Sequence, residues 1–278
     1  MPCLVLPAHN EESVLERNLE RVLAGLRGDV QVLVACNGCS DATVQIARRF
    51  EPRIRVLDLE RPSKVGALNA SDRELAGTPR IYLDADVQMD GDSVNRVIEV
   101  LEAGALAAEP YPILDTKGAG LLVRTYYAIW QALHGQKPGS VGSGLYGLSE
   151  EGRGRFGEFP ELIADDGFVR AHFAPEEIMC VLGAHSRVFT PRRLGDLIRI
   201  KTRSRLGNLE LQRTYPELWR DKVRRGGELS GKIRSLPLRL WPALLVYVPL
   251  QAWIRLRARR LARNLTEYRW ERDLSSRE

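Results

Sequence analysis

The chain has 278 residues, of which 44% are hydrophobic and 28% charged, a composition typical of a globular protein and not of a disordered or fibrous one. This length allows one large α/β domain with appendages. Four cysteines do not suggest a disulfide framework, and no signal-peptide pattern precedes the first apolar run, so we predict a reducing cytoplasmic location.

The net charge of +5 is unevenly distributed along the chain. Residues 1–186 carry 18 Lys/Arg against 27 Asp/Glu, whereas residues 187–278 carry 23 against 9. A basic end of this kind indicates a surface that faces an anion. Charge alone leaves nucleic acid, phospholipid and phosphorylated acceptors open as that anion.

Short apolar runs alternate with amphipathic stretches in the first hundred residues. The expected strands are 3–6, 30–35, 54–59 and 80–83, and the expected helices are 13–26, 41–50, 65–76 and 92–103. This alternation predicts an α/β fold with a mostly parallel sheet flanked by helices. The loops after the strands then lie along one edge, where open α/β sheets bind ligands.

The rest of the chain is less regular. The pattern predicts a helix at 120–133, a glycine-rich turn at 142–147 and an acidic turn at Asp165-Asp166. Beyond Pro191 the sequence is arginine-rich and predicts helix.

The strongest local signal for chemistry is Asp84-Ala85-Asp86, directly after the apolar run IYL. In extended backbone, residues two apart point to the same side, so both carboxylates converge on one cation. Oxygen ligands of this type suit Mg²⁺ or Mn²⁺, which bridge diphosphates. The alternative is a solvated loop with two acids.

Two further loops carry polar groups that suit a nucleoside. The first loop presents Pro7, Ala8, His9, Asn10, Glu11 and Glu12. The second presents Asn37, Gly38, Cys39, Ser40 and Asp41. Either loop is also a normal helix start, with Asn10, Ser40 or Asp41 as the cap. Lys64, at the start of the third helix, is a candidate partner for phosphate or an ordinary surface lysine.

Cys36 and Cys39 form a C-x-x-C, the spacing of a redox or zinc pair. No second pair with suitable spacing follows, and Asn37-Gly38 between them is typical of a ligand loop. We therefore favour a loop over a redox or zinc site.

Six segments in order resemble glycosyltransferase family 2, which has the GT-A fold. They are PAHNEE, CNGCSDAT, KVGALN, LDADV, VGSGLYGLSEEGRGRF and LIADDGFVR, and the likeness covers residues 3–205. The resemblance implies inverting transfer of a sugar from a nucleotide diphosphate to an acceptor hydroxyl, with a divalent metal. It also implies a catalytic domain at 1–205, with a nucleotide-binding half at 1–104 and an acceptor half at 105–205, followed by a basic helical region at 206–278.

The resemblance assigns a role to each matching residue. It implies that Pro7, Ala8, His9 and Glu11 surround the nucleoside. Asp84 and Asp86 hold the metal, and of the pair Asp165-Asp166 the second acid is the general base. The alternative for this pair is a helix cap.

The chain departs from the family pattern at two places. Cys36-Asn37 stands where the family often has two acids, which leaves the nucleotide base open, and we expect Asn37 and Asp41 to contact that base or its ribose. The family's Gln-x-x-Arg-Trp is absent, with KTRSRLGN at 201–208 near its place. Its absence favours a single transfer over polymerisation. His185 is a candidate third metal ligand, and the alternative is an ordinary structural histidine.

The uncharged run at 240–254 predicts contact with an anionic membrane surface, on the inner face of the cell membrane, in reach of a lipid-linked or saccharide acceptor. Its fifteen residues are fewer than the about 20 that a spanning helix needs, and Pro242 and Pro249 interrupt it. The alternatives are a helix packed on the catalytic domain or in a homodimer interface.

Other classes of protein fit less well. A sugar-nucleotide pyrophosphorylase would open with a glycine-rich, arginine-containing loop, and an oxidoreductase would have G-x-G-x-x-G after a strand. A nucleic-acid binder would interleave its basic residues with exposed aromatics, whereas this tail has Leu, Val and Trp. An inactive membrane-associated scaffold is disfavoured because all four acids are retained.

Overall fold

The computed structural model describes residues 1–134, 144–224 and 236–264. Its strands are β1 Cys3–Ala8, β2 Gln31–Asn37, β3 Arg55–Leu59, β4 Arg80–Leu83, β5 Ala107–Asp115, β6 Leu145–Leu148 and β7 Ile178–Phe189. The α-helices are α1 Leu15–Leu23, α2 Thr43–Arg48, α3 Lys64–Glu74, α4 Gly91–Glu102, α5 Leu121–His134, α6 Glu150–Arg153, α7 Asp165–Ala171, α8 Leu194–Thr214, α9 Pro216–Arg224 and α10 Leu244–Leu261. Two 3₁₀ helices cover Pro175–Glu177 and Leu238–Ala243.

The chain divides into two compact units. The first unit comprises Met1–Ile113, Gly142–Glu161 and Pro175–Val188, and the second comprises Leu114–Val141, Leu162–Ala174 and Phe189–Glu278. The first unit contains the sheet and α1 to α4, whereas the second is mainly helical. Helix α8 passes without interruption through residues 205 and 206, where the predicted boundary lies.

The sheet has seven strands within the described residues, in the order β3-β2-β1-β4-β6-β5-β7. Strand β1 pairs in parallel with β2 and β4, and β2 pairs in parallel with β3. Strand β6 is antiparallel to both β4 and β5. The first four strands thus form the expected parallel sheet, and the predicted α/β class with a mostly parallel sheet flanked by helices is confirmed.

The core of the first unit forms because its central strands are apolar on both faces. All six residues of β1 and all four of β4 are buried, the usual pattern for strands covered by helices on both sides. Helix α1 contributes Leu15, Leu19 and Val22 at helical spacing, and α4 contributes Val94, Val97, Ile98 and Leu101.

The predicted glycine-rich turn at 142–147 is partly wrong. Residues 142 and 143 lie outside the described residues, but 145–148 form β6. A Cβ atom on Gly147 would lie 2.7 Å from Leu101 Cδ1 and 2.8 Å from Ile81 Cδ1. Glycine is therefore present here because helix and sheet pack closely, which a sequence pattern does not distinguish from a turn.

The second unit is built around α5, α8 and α10. Its core includes Tyr126, Ile129, Trp130, Leu197 and Tyr247, all at most 9% exposed. The aromatic rings of α5 thus serve mainly as core. Pro249 lies inside α10, so the predicted interruption at this residue is wrong, and the helix continues to Leu261.

Candidate active site

The parallel strands bring the predicted loops to one edge of the sheet. Strands β1 and β2 are in register with Ala8 opposite Cys36, and β4 runs beside β1 in the same direction. Because parallel strands end at the same edge, the loops that follow Ala8, Asn37 and Leu83 are neighbours. Pro7 and Ala8 themselves are buried strand residues, so they offer backbone rather than side-chain groups to a ligand.

The first two loops are joined by hydrogen bonds. The Asn10 side-chain oxygen accepts a bond from Ser40 N at 2.8 Å, and its amide nitrogen donates to Ser40 Oγ at 3.2 Å. Glu11 N donates to Thr43 Oγ1 at 2.7 Å. Asn10 has a φ of 52°, in the left-handed region that asparagine tolerates better than most residues. These bonds give the two loops a fixed mutual arrangement.

Asp41 is the centre of this arrangement. One carboxylate oxygen accepts bonds from Thr43 N at 3.0 Å and from the Thr43 hydroxyl at 2.5 Å. The other accepts a bond from Glu12 N at 3.3 Å. Asp41 therefore forms the turn before α2 by a side-chain bond to a residue two positions on, and it ties this turn to the first loop, whereas Ala42 is the N-cap of the helix. Contact with a nucleotide would be an additional role for the same carboxylate.

Asn37 and His9 link the carboxyl ends of β1 and β2. The Asn37 amide nitrogen donates to Ala8 O at 2.9 Å, and Asn37 is only 4% exposed. The His9 ring nitrogen Nδ1 is hydrogen-bonded to Asn37 O. Gly38 follows with a φ of +56°, and a Cβ there would lie 2.6 Å from Pro62 N, so only glycine fits. The Asn37 donor is thus engaged within the protein.

Asp84 and Asp86 lie in a turn rather than in extended backbone. Strand β4 ends at Leu83, and Val87 N donates to Asp84 O at 3.1 Å. Asp84 N donates to Gly144 O at 2.7 Å, which fixes the start of this turn. The extended geometry assumed from the sequence is therefore wrong. The Asp84 side chain is 41% exposed and Asp86 is exposed, so both carboxylates are open to solvent.

Lys64 reaches this turn from α3. Its ammonium nitrogen lies 2.9 Å from Asp84 Oδ1, with 30% of the lysine side chain exposed. The helix begins at Lys64 because the Ser63 hydroxyl caps it, accepting a bond from Gly66 N at 2.9 Å. Lys64 is therefore part of the same edge as Asp84 and not an isolated surface lysine.

Ala85 is positioned by Asn18, a residue that the sequence motifs do not identify as part of the site. The Asn18 side chain donates to Ala85 O at 2.8 Å, and both residues are buried at 4% exposure. Asn18 lies on the buried face of α1 between Leu15 and Leu19. A polar residue in an apolar helical stripe was the signal that could have identified it.

The predicted base belongs to the second unit. Asp165 and Asp166 form the first turn of α7, where the helix dipole stabilises negative charge. Asp165 is 5% exposed, whereas Asp166 is exposed and accepts a bond from Gly167 N at 2.7 Å. Ala164 is the N-cap, so neither acid is the capping residue. Of the two, Asp166 is the one that is accessible to solvent.

No group of three His, Cys, Asp or Glu side chains suited to a metal occurs within the described residues. His185 lies in β7, where its backbone nitrogen donates to Ser93 Oγ at 3.1 Å and its ring lies 6.1 Å from that of Tyr111. Strand pairing places Gln88 opposite Arg187, so His185 lies towards α4 and away from Asp86. The geometry therefore gives no support to His185 as a third ligand.

The thiols of the C-x-x-C do not have the properties of a redox pair. Both are free cysteines. Burial, together with the neighbouring Cys39, raises the pKa of Cys36 to about 12, and burial also raises the pKa of Cys39. Because the thiolate is the reactive form of cysteine, these pKa values disfavour a redox role.

The uncharged run near the C-terminus has two different faces. On one face, Tyr247 and Ile254 are buried, and the Gln251 amide donates to the hydroxyls of Tyr126 and Tyr247. On the other, Leu245 is 81% exposed and Trp253 is 52% exposed. No helix in the described part of the chain has the length and apolarity to cross a membrane. The helix thus packs on the second unit while presenting apolar side chains to the outside.

Comparisons with known proteins bear on both sequence and fold. Residues 3–137 match the model of the family described as glycosyl transferase family 2. No curated protein sequence is detectably similar to the whole chain.

Two solved structures share the fold at low sequence identity. The first is a mannosyltransferase, PcManGT, from Pyrobaculum calidifontis, in complex with GDP-Man and Mn²⁺. It is 18% identical, with a TM-score of 0.65 over 96% of this chain and 88% of its own. The second is glucosyl-3-phosphoglycerate synthase from Mycobacterium tuberculosis, in complex with Mn²⁺, UDP and glucosyl-3-phosphoglycerate. It is 20% identical, with a TM-score of 0.54 over 77% of this chain and 79% of its own.

The family match begins at the first residue of β1 and continues through the loops that carry Asp41, Lys64, Asp84 and Asp86. It therefore includes every element of the sheet edge described above, and the family predicted from the motifs is confirmed for this part of the chain. Residues 3–137 of this chain belong to glycosyl transferase family 2.

Proposed function

We propose that this protein transfers a sugar from a nucleotide diphosphate sugar to an acceptor hydroxyl, with inversion at the anomeric carbon. The observation that carries the proposal is the sheet edge, where the Lys64–Asp84 ion pair joins the third helix to the Asp84–Asp86 turn. This edge offers a cation and two exposed carboxylates beside two fixed loops, which are the groups that a nucleoside diphosphate and its metal need.

The donor atoms of this edge fit a hard divalent cation. Asp84 and Asp86 supply only carboxylate oxygens, and both are exposed enough to leave positions for water and for phosphate oxygens. Mn²⁺ or Mg²⁺, when bound there, would neutralise charge on the departing diphosphate. The two structural neighbours described above both contain Mn²⁺, which supports this choice.

The nucleoside part of the donor would lie along the first two loops. Pro7, Ala8, His9, Asn10 and Glu11 border one side, and Asn37 and Asp41 border the other. The bonds between Asn10 and Ser40 and between Asp41 and Thr43 hold these loops before a ligand arrives. A fixed site loses less conformational freedom on binding, and therefore binds more tightly. The two neighbours contain GDP-Man and UDP, so the likeness leaves the base open.

Asp166 would act as the general base. An exposed carboxylate at a helix start is able to take the proton from an acceptor hydroxyl as that oxygen attacks the sugar. Buried Asp165 would support α7 rather than contact the acceptor. Lys64 would place its positive charge against the diphosphate.

Nucleotide release from candidate donors tests this function. The protein is incubated with GDP-mannose or UDP-glucose and Mn²⁺, and the released nucleoside diphosphate is quantified with and without candidate acceptors. We expect one donor to be cleaved in the presence of Mn²⁺, with EDTA abolishing the release. A scaffold that has lost activity would release none, and a pyrophosphorylase would instead form nucleoside triphosphate from pyrophosphate.

We further propose that the outer face of α10 contacts an anionic membrane surface on the cytoplasmic side. Its exposed apolar residues include Leu245, Val248, Trp253 and Leu256, and α10 itself contains four arginines and no acidic residue. Such a helix lies in the headgroup region, and each basic residue near an anionic surface contributes about 1 kcal/mol of binding free energy. The acceptor would then be lipid-linked.

Flotation with phosphatidylglycerol vesicles tests this contact. We expect the protein to float with the vesicles at low salt and less at high salt, and Leu245→Gln to reduce the floating fraction. Leu182→Gln is the matched control, because Leu182 is 75% exposed but lies in the first unit. Equal loss in both variants, or a dimer that dissociates in Leu245→Gln without any flotation, would favour a protein interface instead.

A further inference from the structure

Three arginines converge where α8 packs against α10 in the second unit. Ile254 and Ala258 of α10 are at most 1% exposed and form the packed face of that helix. Arg255 and Arg259 each follow one of these residues, so they lie together at the border of the packed face and are exposed. Arg205 approaches from α8, where the next residue, Leu206, is fully buried.

Arg213 of α8 donates to Ala262 O, just beyond α10, at 2.5 Å, so the two helices lie side by side here. The pKa of Arg205 agrees with this placement. Burial lowers the pKa of Arg205, and the positive charges of Arg255 and Arg259 lower it further. Within residues 1–134, 144–224 and 236–264, no carboxylate forms an ion pair with any of the three. The positive charges therefore repel one another without a described acid to offset them.

Other arginines of the protein are placed differently. Arg80 and Arg153 both pair with Asp72 at 2.6 Å, and Arg155 pairs with Glu177 at 2.8 Å. In these pairs the guanidinium donors are used within the fold. Arg205, Arg255 and Arg259 instead have no ion-pair partner among the described residues, and neighbouring guanidinium groups of this kind suit a phosphate.

The apolar face of α10 leads directly to this cluster. Val248, Ala252, Arg255 and Arg259 are spaced four, three and four residues apart, so they form one stripe along the helix. Val248 is 54% exposed and Ala252 is also exposed. A ligand that lies along the stripe meets apolar side chains first and then guanidinium groups. That order matches a lipid whose chain carries a terminal phosphate.

We propose that Arg205, Arg255 and Arg259 form a binding site for the phosphate monoester headgroup of a membrane lipid. Three guanidinium groups match the near-double charge of a phosphate monoester better than the single charge of a phosphodiester. The site extends the membrane contact proposed above, on which it rests, from a general attraction to anionic lipid to recognition of one headgroup chemistry.

Vesicle flotation with matched surface charge tests the site. Vesicles of phosphatidylcholine contain either phosphatidic acid or enough phosphatidylglycerol to give the same zeta potential. We expect at least about tenfold tighter binding to the phosphatidic acid vesicles. The double variant Arg255→Gln/Arg259→Gln removes that preference, and Arg205→Gln does the same where thermal unfolding shows it to be folded.

Arg260→Gln is the matched control, since Arg260 is an exposed arginine of the same helix whose charge does not act on Arg205. It should retain the preference for phosphatidic acid. Binding to both vesicle types with equal affinity would overturn the phosphate site while leaving the membrane contact intact. Failure to bind any vesicle would overturn both, and nucleotide release would still report separately on the transferase.

Soluble glycerol 3-phosphate distinguishes a lipid from a free phosphate ester. We expect millimolar glycerol 3-phosphate to displace the protein only weakly, because it lacks the chain that contacts Val248 and Ala252. Displacement at micromolar concentration, or Arg255-dependent thermal stabilisation by the soluble ester alone, would contradict the lipid as the source of the phosphate.

Discussion

The loops at the sheet edge and the helix pair α8–α10 use polar side chains in opposite ways. At the edge, Asn10, Asp41 and Thr43 bond to neighbouring loops, and Lys64 pairs with Asp84. Between α8 and α10, Arg205 lies near Arg255 and Arg259, and none of the three has an ion-pair partner among the described residues, while apolar side chains nearby are exposed. The first arrangement suits a small ligand that needs a fixed site, and the second suits an extended anionic surface.

This difference explains why motifs identified one region and not the other. A loop that binds a small ligand needs particular residues at particular positions, so it leaves a recognisable sequence pattern. A surface that attracts a membrane needs only charge and exposed apolar area, which many sequences provide.

The largest expected effect comes from removing a carboxylate at the edge. Asp86→Ala should reduce transfer at least about 100-fold with little change in thermal stability, because Asp86 is exposed and its loss creates no cavity. Steady-state kinetics with Mn²⁺ measure the loss. Asp92→Ala, an exposed aspartate in the first turn of α4, should stay near wild-type activity. Full activity of the native protein in EDTA would show that transfer needs no divalent metal.

The second effect concerns the base in the second unit. Asp166→Asn should lower kcat by about 10²- to 10⁴-fold with nearly unchanged donor affinity, because the amide cannot accept the proton. Asp165→Asn should have a smaller effect on kcat and a larger one on the melting temperature, since Asp165 is buried. A larger loss of kcat in Asp165→Asn than in Asp166→Asn would exchange the two roles.

The third effect separates nucleotide contact from loop positioning. Asp41→Ala should weaken binding of the nucleoside diphosphate about tenfold, equivalent to about 1.4 kcal/mol. Thr43→Val is the informative comparison, because it removes both hydroxyl bonds that position the loops, to Asp41 and from Glu11 N, and keeps the carboxylate. Isothermal titration should show a smaller loss for Thr43→Val. Equal losses would mean that Asp41 acts only by holding the loop.

The smallest effect concerns a half-buried cation in the second unit, Lys201. Lys201 Nζ lies 4.6 Å from the ring centre of Trp130 and 5.2 Å from that of Tyr127, and burial lowers the pKa of Lys201 to about 8. The unfolded chain, with a lysine pKa of about 10.4, binds more protons above pH 8. The free energy of unfolding should therefore rise with pH between about 8 and 10, by at most about 1.4 kcal/mol per pH unit.

Lys201→Met should lack this pH-dependent contribution. Denaturant unfolding at pH 7, 8, 9 and 10 measures the difference between variant and wild type. That difference should favour the wild type increasingly as the pH rises. Parallel profiles for the two proteins would show that Lys201 keeps an ordinary pKa in the folded state.

The sequence predicted the sheet edge well and its supporting contacts poorly. Strand-and-helix alternation placed the loops after β1, β2 and β4 correctly, because burial on both faces leaves continuous apolar runs. The turn at Asp84, the Asn18–Ala85 bond and β6 depend on contacts between distant segments. Local pattern carries no information about such contacts, and Gly147 was read as a turn for this reason.

The C-terminal region is a second place where the sequence pattern and the fold differ. The sequence pattern predicts the apolar run at 240–254 and an interruption of it at Pro249. In the fold, α10 passes through Pro249, and one face packs while the other stays exposed. One face of the helix thus packs within the second unit, and contact of the other face with a membrane stays a prediction.

Every role proposed for the sheet edge requires that it bind a nucleoside diphosphate together with a divalent metal. A thermal-shift panel of GDP, UDP, ADP and CDP, each with and without Mn²⁺, tests it most directly. We expect one nucleotide to raise the melting temperature clearly, only when Mn²⁺ is present, and the Asp86→Ala protein to lose that increase. An increase of the same size without metal, or none for any nucleotide with metal, would contradict the account.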